Sequence, residues 1–312
     1  MSQIKQLPKL IATEADVTPI VLAAMANTDD PRLRQLVASL VTHLHQFVAE
    51  TRPTEQEFEF GLRWLAALGH HTDISNNEVV LAADVLGVST LVDLINNDGR
   101  QGETMSALLG PFYRGEAPVC AAGDCISRAG TPGPSLFFSG RVTGADGQPL
   151  VGATLDVWQA SPIGLYENQD ATQADFNLRG KFTTDAAGKF AFQSVRPAGY
   201  PVPTNGPVGD LLRAQNRTPM RPAHIHFIVS APGHKTLITQ VFFDQAAALA
   251  NDVVFGAKQQ LVGSFIEHTG PHPAYPDATP PFYTSDYEFK LVVGTPCFPV
   301  PPITGKQAGG HE

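Results

Sequence analysis

Residues 137–158, FFSGRVTGADGQPLVGATLDVW, contain two runs of strand-forming residues separated by a turn. Phe137–Val142 and Ala153–Trp158 are rich in aromatic and β-branched residues, which favour strands. Asp146-Gly147 lies between them, and this dipeptide is a strong signal for a tight turn. The stretch therefore predicts strand, turn and strand.

The same arrangement recurs along the second part of the chain. Phe182–Thr184 and Lys189–Phe192 flank the turn-forming residues 185–188, DAAG. Further strands are predicted over Ala223–Ser230, Thr236–Phe243 and Tyr287–Val293. Several short strands separated by turn signals favour an antiparallel β-sandwich or barrel over a βαβ sheet.

The N-terminal part of the chain has a helical pattern instead. Apolar residues recur at steps of three and four between Leu33 and Val48, which predicts a helix with one apolar face. Thr54 and Glu57 have the spacing of a capping box, and shorter helices are predicted on either side of Gly87. We therefore predict an α+β protein, with a helical domain over residues 1–105 and a β-sandwich domain over residues 106–312.

Composition excludes several classes of protein. The chain has 312 residues, 21 basic and 30 acidic side chains and a formal net charge of −9, so its field would repel nucleic acid and anionic membranes. No apolar stretch approaches the roughly 20 residues of a membrane span. The first 30 residues contain acids and no apolar block for export. We expect a cytoplasmic protein that binds no nucleic acid.

Two histidines stand out because of their spacing. His224 and His226 lie in a predicted strand, where alternation places both imidazoles on one face and Ile225 on the other. Two such imidazoles can hold one metal ion, although two polar residues on a solvent-facing strand give the same pattern. A carboxylate could complete the site, but spacing selects none of the candidates Asp156, Asp185, Asp210 and Glu267.

Two tyrosines offer a different completion of that site. Tyr166 and Tyr200 both lie in turn-rich connections, where the backbone can direct a side chain into a cleft. The alternative for each is a core tyrosine whose hydroxyl bonds to the backbone. Each tyrosine taken singly leaves both interpretations open.

Taken together, these residues resemble the intradiol ring-cleavage dioxygenases. The resemblance runs from the helical N-terminal part to about Pro299, and it is densest in residues 109–113 (LGPFY), 178–182 (LRGKF) and 221–227 (RPAHIHF). It implies that a non-haem Fe(III) is bound by Tyr166, Tyr200, His224 and His226. It also implies that Arg221, Tyr200 and Gln240 are catalytic.

The implied reaction opens an aromatic ring between two adjacent hydroxylated carbons and incorporates both atoms of O2. In it, Tyr200 would take a proton from the diol and leave the iron, and Arg221 would stabilise negative charge that builds on the ring. The alternative for Arg221 is a surface ion pair with Asp210 or a neighbour.

The resemblance also implies a substrate pocket, lined by Leu81, Asp84, Leu108, Pro111, Phe112, Phe255 and Gly256. Leu81 and Asp84 are three residues apart on a helix and share a face. A buried acid there would accept a hydrogen bond from an extra ring hydroxyl, and residues 81–84 resemble this helix in the hydroxyquinol-cleaving members. Plain catechol has no third hydroxyl, so it would not offset the cost of burying the carboxylate. We therefore predict cleavage of hydroxyquinol (1,2,4-trihydroxybenzene) to 3-hydroxy-cis,cis-muconate, or maleylacetate.

Several alternatives stay open at this point. Asp84 could be solvated, and the substrate could be catechol or a chloro- or methylcatechol, cleaved to a cis,cis-muconate. The two histidines and a carboxylate could form a zinc hydrolase, or the sandwich could be a transthyretin-like protein that binds an aromatic ligand without turnover. Members of the family with a helical N-terminal part form homodimers through it and can hold a phospholipid at the interface, and the resemblance extends both properties to this chain. The apolar stripe from Leu33 to Val48 is compatible with such an interface, but a helix packed within one chain would show the same stripe.

Overall fold

The structure is a computed structural model that describes residues 10–97, 99, 101–243 and 245–306. The chain falls into two units that divide between Trp64 and Leu65. The boundary between residues 105 and 106 that the sequence suggests stays a prediction. No helix in the described ranges is both long enough and apolar enough to cross a bilayer.

The first unit is helical. It contains α1 (Glu14–Ala24), α2 (Pro31–Thr51) and the start of α3 (Glu55–His70). The predicted capping box begins α3: the Thr54 backbone N–H donates to the Glu57 carboxylate over 2.8 Å, and the Glu57 N–H donates to Thr54 Oγ1 over 3.3 Å. Helix α1 is missing from the sequence-based prediction because its apolar residues do not follow a single face.

The apolar face of α2 is not buried within one chain. None of the residues of this helix is buried, although periodicity predicts a buried face. Half or nearly half of each side chain is exposed at Leu33, Leu36, Leu40, Leu44, Phe47 and Val48. Exposed apolar residues in a contiguous helical stripe are typical of a surface that a partner covers.

Two short helices of the second unit lie before the sheets. Helix α4 (Glu78–Val85) begins at Asn77, whose side chain accepts a hydrogen bond from the Val80 N–H over 3.0 Å. Gly87 has a φ of 73°, which separates α4 from α5 (Val88–Asn96). The break predicted at this glycine is therefore present, because few other residues adopt this backbone conformation without strain.

The rest of the second unit is a β-sandwich. Its strands and helices, in chain order, are β1 (Ser135–Gly144), β2 (Thr154–Trp158), β3 (Arg179–Thr183), β4 (Lys189–Val195), β5 (Tyr200–Pro201), α6 (Pro207–Ala214), β6 (Met220–Arg221), β7 (His224–Ser230), β8 (Leu237–Phe242), α7 (Ala246–Ala250), β9 (Ile266–His268) and β10 (Phe282–Leu291). One sheet has the order β4-β1-β10-β9 and the other β3-β2-β7-β8, while β5 pairs with β6.

The sheets are antiparallel except at one pair of strands. Strand β1 pairs with β10 in parallel, with Phe138 opposite Ser285 and Val142 opposite Phe289. Strands β1 and β10 are separated by almost the whole domain, and alternation along a strand does not specify the direction of its partner. The predicted sandwich is thus present with one parallel pair that the sequence did not indicate.

Aromatic rings fill the space between the two sheets. Phe227 of β7 lies with its ring centroid 5.4 Å from that of Phe138 on β1 and 4.8 Å from that of Phe289 on β10. Leu155 and Val157 of β2 belong to the same buried cluster. Because these residues use one face of β2 and β7, the other face of the same sheet is free to carry polar side chains.

Four of those polar or aromatic side chains form a row across the second sheet. Trp158 on β2 lies opposite Arg179 on β3 and opposite His226 on β7, and His226 lies opposite Gln240 on β8. Residues directly opposite each other in neighbouring strands point to the same side of a sheet. All four side chains are almost completely buried, and the candidate site is built on this row.

Candidate active site

Two tyrosine hydroxyls and two imidazole nitrogens meet at one point beside this row. Tyr166 Oη lies 2.9 Å from Tyr200 Oη and 2.9 Å from His226 Nε2. Tyr200 Oη lies 3.4 Å from His224 Nε2, and the two histidine Nε2 atoms are 3.1 Å apart. Donor atoms of a single bound metal ion have separations of this size, since each lies about 2.0–2.2 Å from it.

The histidines differ in how they are held. His224 Nδ1 lies 2.7 Å from the Pro222 carbonyl oxygen, and Arg221 Nη1 lies 3.1 Å from His224 Nε2. A carbonyl only accepts and a guanidinium only donates, so we assign the proton of this imidazole to Nδ1 and the lone pair to Nε2. That tautomer directs the Nε2 lone pair into the site, as a metal ligand requires.

On the side away from Tyr166, an aromatic ring rather than a hydrogen bond at Nδ1 supports His226. Its Nδ1 is buried and has no hydrogen-bond partner among the described residues. The ring stacks on Trp158 with centroids 4.6 Å apart and planes within 9° of parallel. Sequence reasoning placed Trp158 at the end of a predicted strand but did not predict that this side chain supports His226.

Burial keeps all four groups uncharged in the absence of a cation. Burial raises the pKa of Tyr200, and burial together with the neighbouring Tyr200 raises the pKa of Tyr166 well above its ordinary value. Burial and the Arg221 charge lower the pKa of His224 to about 3, and burial also lowers the pKa of His226. Neutral imidazoles are ready ligands, and buried phenols would ionise only beside a hard cation.

This donor set fits Fe(III). Phenolate oxygen is a hard ligand that favours a trivalent cation, and two phenolates offset much of its charge in a buried site. A zinc hydrolase site is not supported, because within the described residues no group of three or more His, Cys, Asp or Glu side chains is arranged so that it could hold a metal ion. Asp156, one of the carboxylate candidates, instead accepts a hydrogen bond from the Tyr113 hydroxyl over 3.2 Å.

Arg221 projects from β6 into the same site and is held from behind. Its Nε lies 3.1 Å from Asp252 Oδ1, and its Nη2 lies 2.9 Å from Gln240 Oε1. Burial disfavours the charge, but Asp252 nevertheless raises the pKa of Arg221 above its ordinary value. Arg221 is only 4% exposed, and Asp210 pairs with Arg213 instead, so the alternative of a surface pair is wrong.

A small cavity opens beside two of the four candidate ligands, Tyr200 and His226. Of the sequence-predicted residues, the structure places Leu81, Asp84, Pro111, Phe112, Tyr200, Arg221 and His226 in its wall. The wall also contains Gly110, Val202 and Val254, which the sequence reasoning did not single out. Each of these three residues lies one or two positions from a predicted site residue in the sequence. That proximity was the only indication in the sequence that they belong to the wall.

The remaining predicted pocket residues lie behind or beside this wall. The Leu108 carbonyl accepts a hydrogen bond from Gln240 Nε2, and the Gly256 N–H donates to Asp252 Oδ2 over 3.0 Å. Phe255 is 53% exposed, and its ring lies 5.0 Å from the Arg217 guanidinium. Arg221 and its partner Asp252 are therefore supported by Leu108, Gln240 and Gly256. The sequence reasoning did not identify Asp252.

Asp84 is buried in the cavity wall. Its side chain is only 3% exposed, which excludes the solvated alternative. Burial raises the pKa of Asp84 to about 6, while a hydrogen bond with Ser89 and the charge of Arg221 act in the opposite direction. The carboxylate is thus mostly ionised at pH 7 and can accept a hydrogen bond from a ligand in the cavity.

The raised pKa of Asp84 predicts a pH-dependent effect on stability. Below about pH 4 both the folded and the unfolded state hold the proton, but as the pH rises toward 6 only the folded state keeps it, so stability falls. We expect Asp84→Asn to be more stable than the wild type by about 2–3 kcal/mol at pH 8, because one pKa unit corresponds to about 1.4 kcal/mol. Thermal or urea unfolding between pH 4 and pH 8 measures this difference, and an equal difference at both ends would contradict it.

Comparison with known proteins agrees with this geometry. Residues 108–293 match the family described as "Dioxygenase", and residues 30–104 match the one described as "Catechol dioxygenase N terminus". A hydroxyquinol 1,2-dioxygenase from a Rhizobium species is 42% identical over 246 residues, which are 78% of this chain and 83% of the relative. The chain belongs to the intradiol ring-cleavage dioxygenase family.

Other members of this family act on related diols. A catechol 1,2-dioxygenase from Candida albicans is 40% identical over 251 residues, covering 80% of this chain and 83% of the relative. The crystal structure of a hydroxyquinol 1,2-dioxygenase from Pseudomonas putida has a TM-score of 0.83 and 38% identity, and the match covers 90% of this chain and 99% of that one. As an intradiol dioxygenase, the protein is an oxidoreductase of a family that uses non-haem iron.

Proposed function

We propose that this intradiol dioxygenase cleaves hydroxyquinol between its two adjacent hydroxylated carbons, giving 3-hydroxy-cis,cis-muconate or its keto form, maleylacetate. The observation that carries the proposal is the ionisable Asp84 carboxylate, which is buried in the cavity wall that Tyr200, Arg221 and His226 also form. Relatives with names that specify hydroxyquinol or a chlorinated hydroxyquinol support it.

The proposed cofactor is one Fe(III), held by Tyr166, Tyr200, His224 and His226. When bound, the ferric ion would draw electron density from the diolate and make a ring carbon reactive toward dioxygen. The chain contributes the neutral imidazoles and the two phenols described above. Trp158 and the Pro222 carbonyl keep the two imidazoles in their orientations.

Four side chains of the cavity would act on the substrate. The Tyr200 oxygen is the proposed acceptor for one diol proton, since Tyr200 lies in the cavity wall and Tyr166 lies outside it. Arg221, fixed by Asp252 and Gln240, places a permanent positive charge where the ring becomes negative. Asp84 would accept a hydrogen bond from the third hydroxyl, and Leu81 on the same face of α4 would contact the ring.

Catechol or a substituted catechol is the competing substrate. The Candida albicans relative, named for catechol, is almost as similar to this chain as the relative named for hydroxyquinol. A ring without a third hydroxyl would displace water from Asp84 without offering it a hydrogen bond, which costs about 1–3 kcal/mol. This penalty favours hydroxyquinol.

A turnover assay under air tests the proposal with hydroxyquinol, catechol and 4-chlorocatechol. We expect kcat/KM of the wild type to be highest for hydroxyquinol, and Asp84→Ala to lower the ratio of hydroxyquinol to catechol by about 10–100-fold. The reason is the loss of one hydrogen bond to a charged acceptor, about 1.5–3 kcal/mol. The assay follows oxygen uptake and product absorbance.

The matched control for this assay is Leu81→Ala. It shortens a side chain of the same helix face without removing an acceptor, so both substrates should lose rate by similar factors. A wild type that prefers catechol, or an unchanged ratio in Asp84→Ala, would contradict the assignment of hydroxyquinol. Absence of oxygen uptake with every diol by the iron-loaded wild type would contradict the iron site as well.

A homodimer formed through the helical N-terminal part is a further part of the proposal. Its support is the apolar stripe of α2, where side chains from Leu33 to Val48 are about half exposed in one chain. A phospholipid bound in an apolar groove at that interface follows from the resemblance to the family, and a cytoplasmic location follows from composition. Dioxygen and a small aromatic diol or triol are the other proposed partners.

A further inference from the structure

A buried arginine that takes no part in the proposed reaction lies under the Tyr166 segment. Arg179, on β3, is 1% exposed. Its Nε donates to Glu167 Oε1 over 2.8 Å, and its Nη2 donates to Asn168 Oδ1 over 3.1 Å. The guanidinium therefore binds two consecutive residues of the short 3₁₀ turn, Glu167–Gln169, that directly follows Tyr166.

The same turn is also held from its other side. Glu167 Oε1 accepts a second charged hydrogen bond, from Arg114 Nη1 over 2.7 Å. Asn168 is fully buried, and its Nδ2 donates to the Ser75 carbonyl over 3.1 Å. Each residue of the turn that touches Arg179 is thus bonded to another part of the same unit, and the position of Tyr166 follows from these contacts.

The guanidinium of Arg179 also faces the Tyr166 ring. Its Cζ lies 5.9 Å from the ring centroid, within the range of cation–π attraction. The hydroxyl of Tyr166 points away from Arg179, toward Tyr200 and His226. The positive charge of Arg179 therefore lies beside the aromatic ring of Tyr166 and not beside its oxygen. A fixed positive charge at this distance stabilises negative charge on the phenolate.

Stability alone does not explain this arrangement. The side chains of Arg179 and Glu167 are 1% and 0% exposed, and burying such a pair often stabilises a fold less than apolar residues of similar size. Arg179 Nη1 and Glu167 Oε2 are both buried and have no hydrogen-bond partner in the described part of the chain. A buried ion pair with unpaired atoms beside a proposed metal ligand calls for a functional reason.

We propose that Arg179 and Glu167 are positioning residues for Tyr166: they fix the turn that carries this ligand, and their opposite charges set how readily its phenolate gives electron density to the metal. The inference rests on the proposed Fe(III) site. Arg179 lowers the energy of the phenolate electrons, and Glu167 raises it. The pair therefore tunes the ligand without touching the substrate.

The test uses the visible absorption that electron transfer from phenolate to Fe(III) produces in the iron-loaded, full-length protein. Arg179→Met removes the cation, so the band should move to longer wavelength. Glu167→Gln removes the anion and keeps the shape, so the band should move to shorter wavelength. Arg179→Lys keeps the charge and should return the band toward that of the wild type, and iron affinity should fall about 10–100-fold in Arg179→Met.

Arg213→Met is the control, because this arginine pairs with Asp210 on the surface of α6 and should not change the band. Shifts of Arg179→Met and Glu167→Gln in the same direction would reduce the pair to a structural role and overturn the proposal, as would an unchanged band in both. If Arg179→Met does not fold, the sign of the shift in Glu167→Gln decides. A wild type that binds iron without any such band would contradict the proposed function itself, so the two failures are distinguishable.

Discussion

Tyr200→Phe should cleave hydroxyquinol about 10²–10⁴-fold more slowly than the wild type, because a positioned proton acceptor usually accelerates a reaction by that factor. The hydroxyl of Tyr200 lies 2.9 Å from Tyr166 Oη, and its side chain forms part of the cavity wall. The variant loses both the proposed acceptor for the diol proton and one phenolate donor. Its visible absorption should therefore change together with its turnover, as stopped-flow spectroscopy can measure.

Tyr113→Phe is the matched control for Tyr200→Phe. Tyr113 belongs to the same buried aromatic cluster, but its hydroxyl donates to Asp156 over 3.2 Å. Removing it should lower the free energy of unfolding by about 1–3 kcal/mol and leave the visible band unchanged. An equal change of the band in the two variants would show that the ligand assignment is wrong.

The second large effect is expected for Arg221→Met. Loss of a fixed donor directed at developing negative charge typically lowers kcat by about 10²–10³-fold. The change also leaves Asp252 without its cation in a site where that carboxylate is almost fully buried. Breaking a buried pair from one side costs about 3–5 kcal/mol of stability, which urea unfolding measures.

A second substitution separates the two consequences of Arg221→Met. In the double variant Arg221→Met/Asp252→Asn the unpaired charge is gone, so part of the lost stability should return while activity stays low. Arg213→Met, which breaks an exposed pair, should change stability by no more than about 1 kcal/mol. Recovery of activity in the double variant would contradict the role assigned to the Arg221 charge.

Much of the fold could be predicted because local patterns specify local structure. Alternation and turn residues located strands such as β2 and β7, and the Thr54 and Glu57 spacing located the start of α3. The parallel pairing of β1 with β10 could not be predicted, since the direction of a partner strand depends on residues that are distant in the sequence. The two-residue strand β5 contains too few residues to show a period.

The candidate site was predictable only in part for a related reason. His224 and His226 share a strand, so their spacing alone placed both imidazoles on one face. Tyr166 and Tyr200 were linked to the two histidines only by the resemblance to the family. A turn-rich sequence does not specify the direction in which its tyrosine side chain points. Asp252 and Trp158 were missed, because their roles depend on contacts made across the sheet and from a distant loop.

The sequence by itself determined the α+β class, the alternation that puts two imidazoles on one side of β7, and a charge unsuited to nucleic acid. The tertiary structure decided that Asp84 is buried rather than solvated, that Arg221 pairs with Asp252, and that Arg179 lies beneath Tyr166. Burial and charge pairing are sums over neighbours from many parts of the chain. They exist only once the fold has brought those neighbours together.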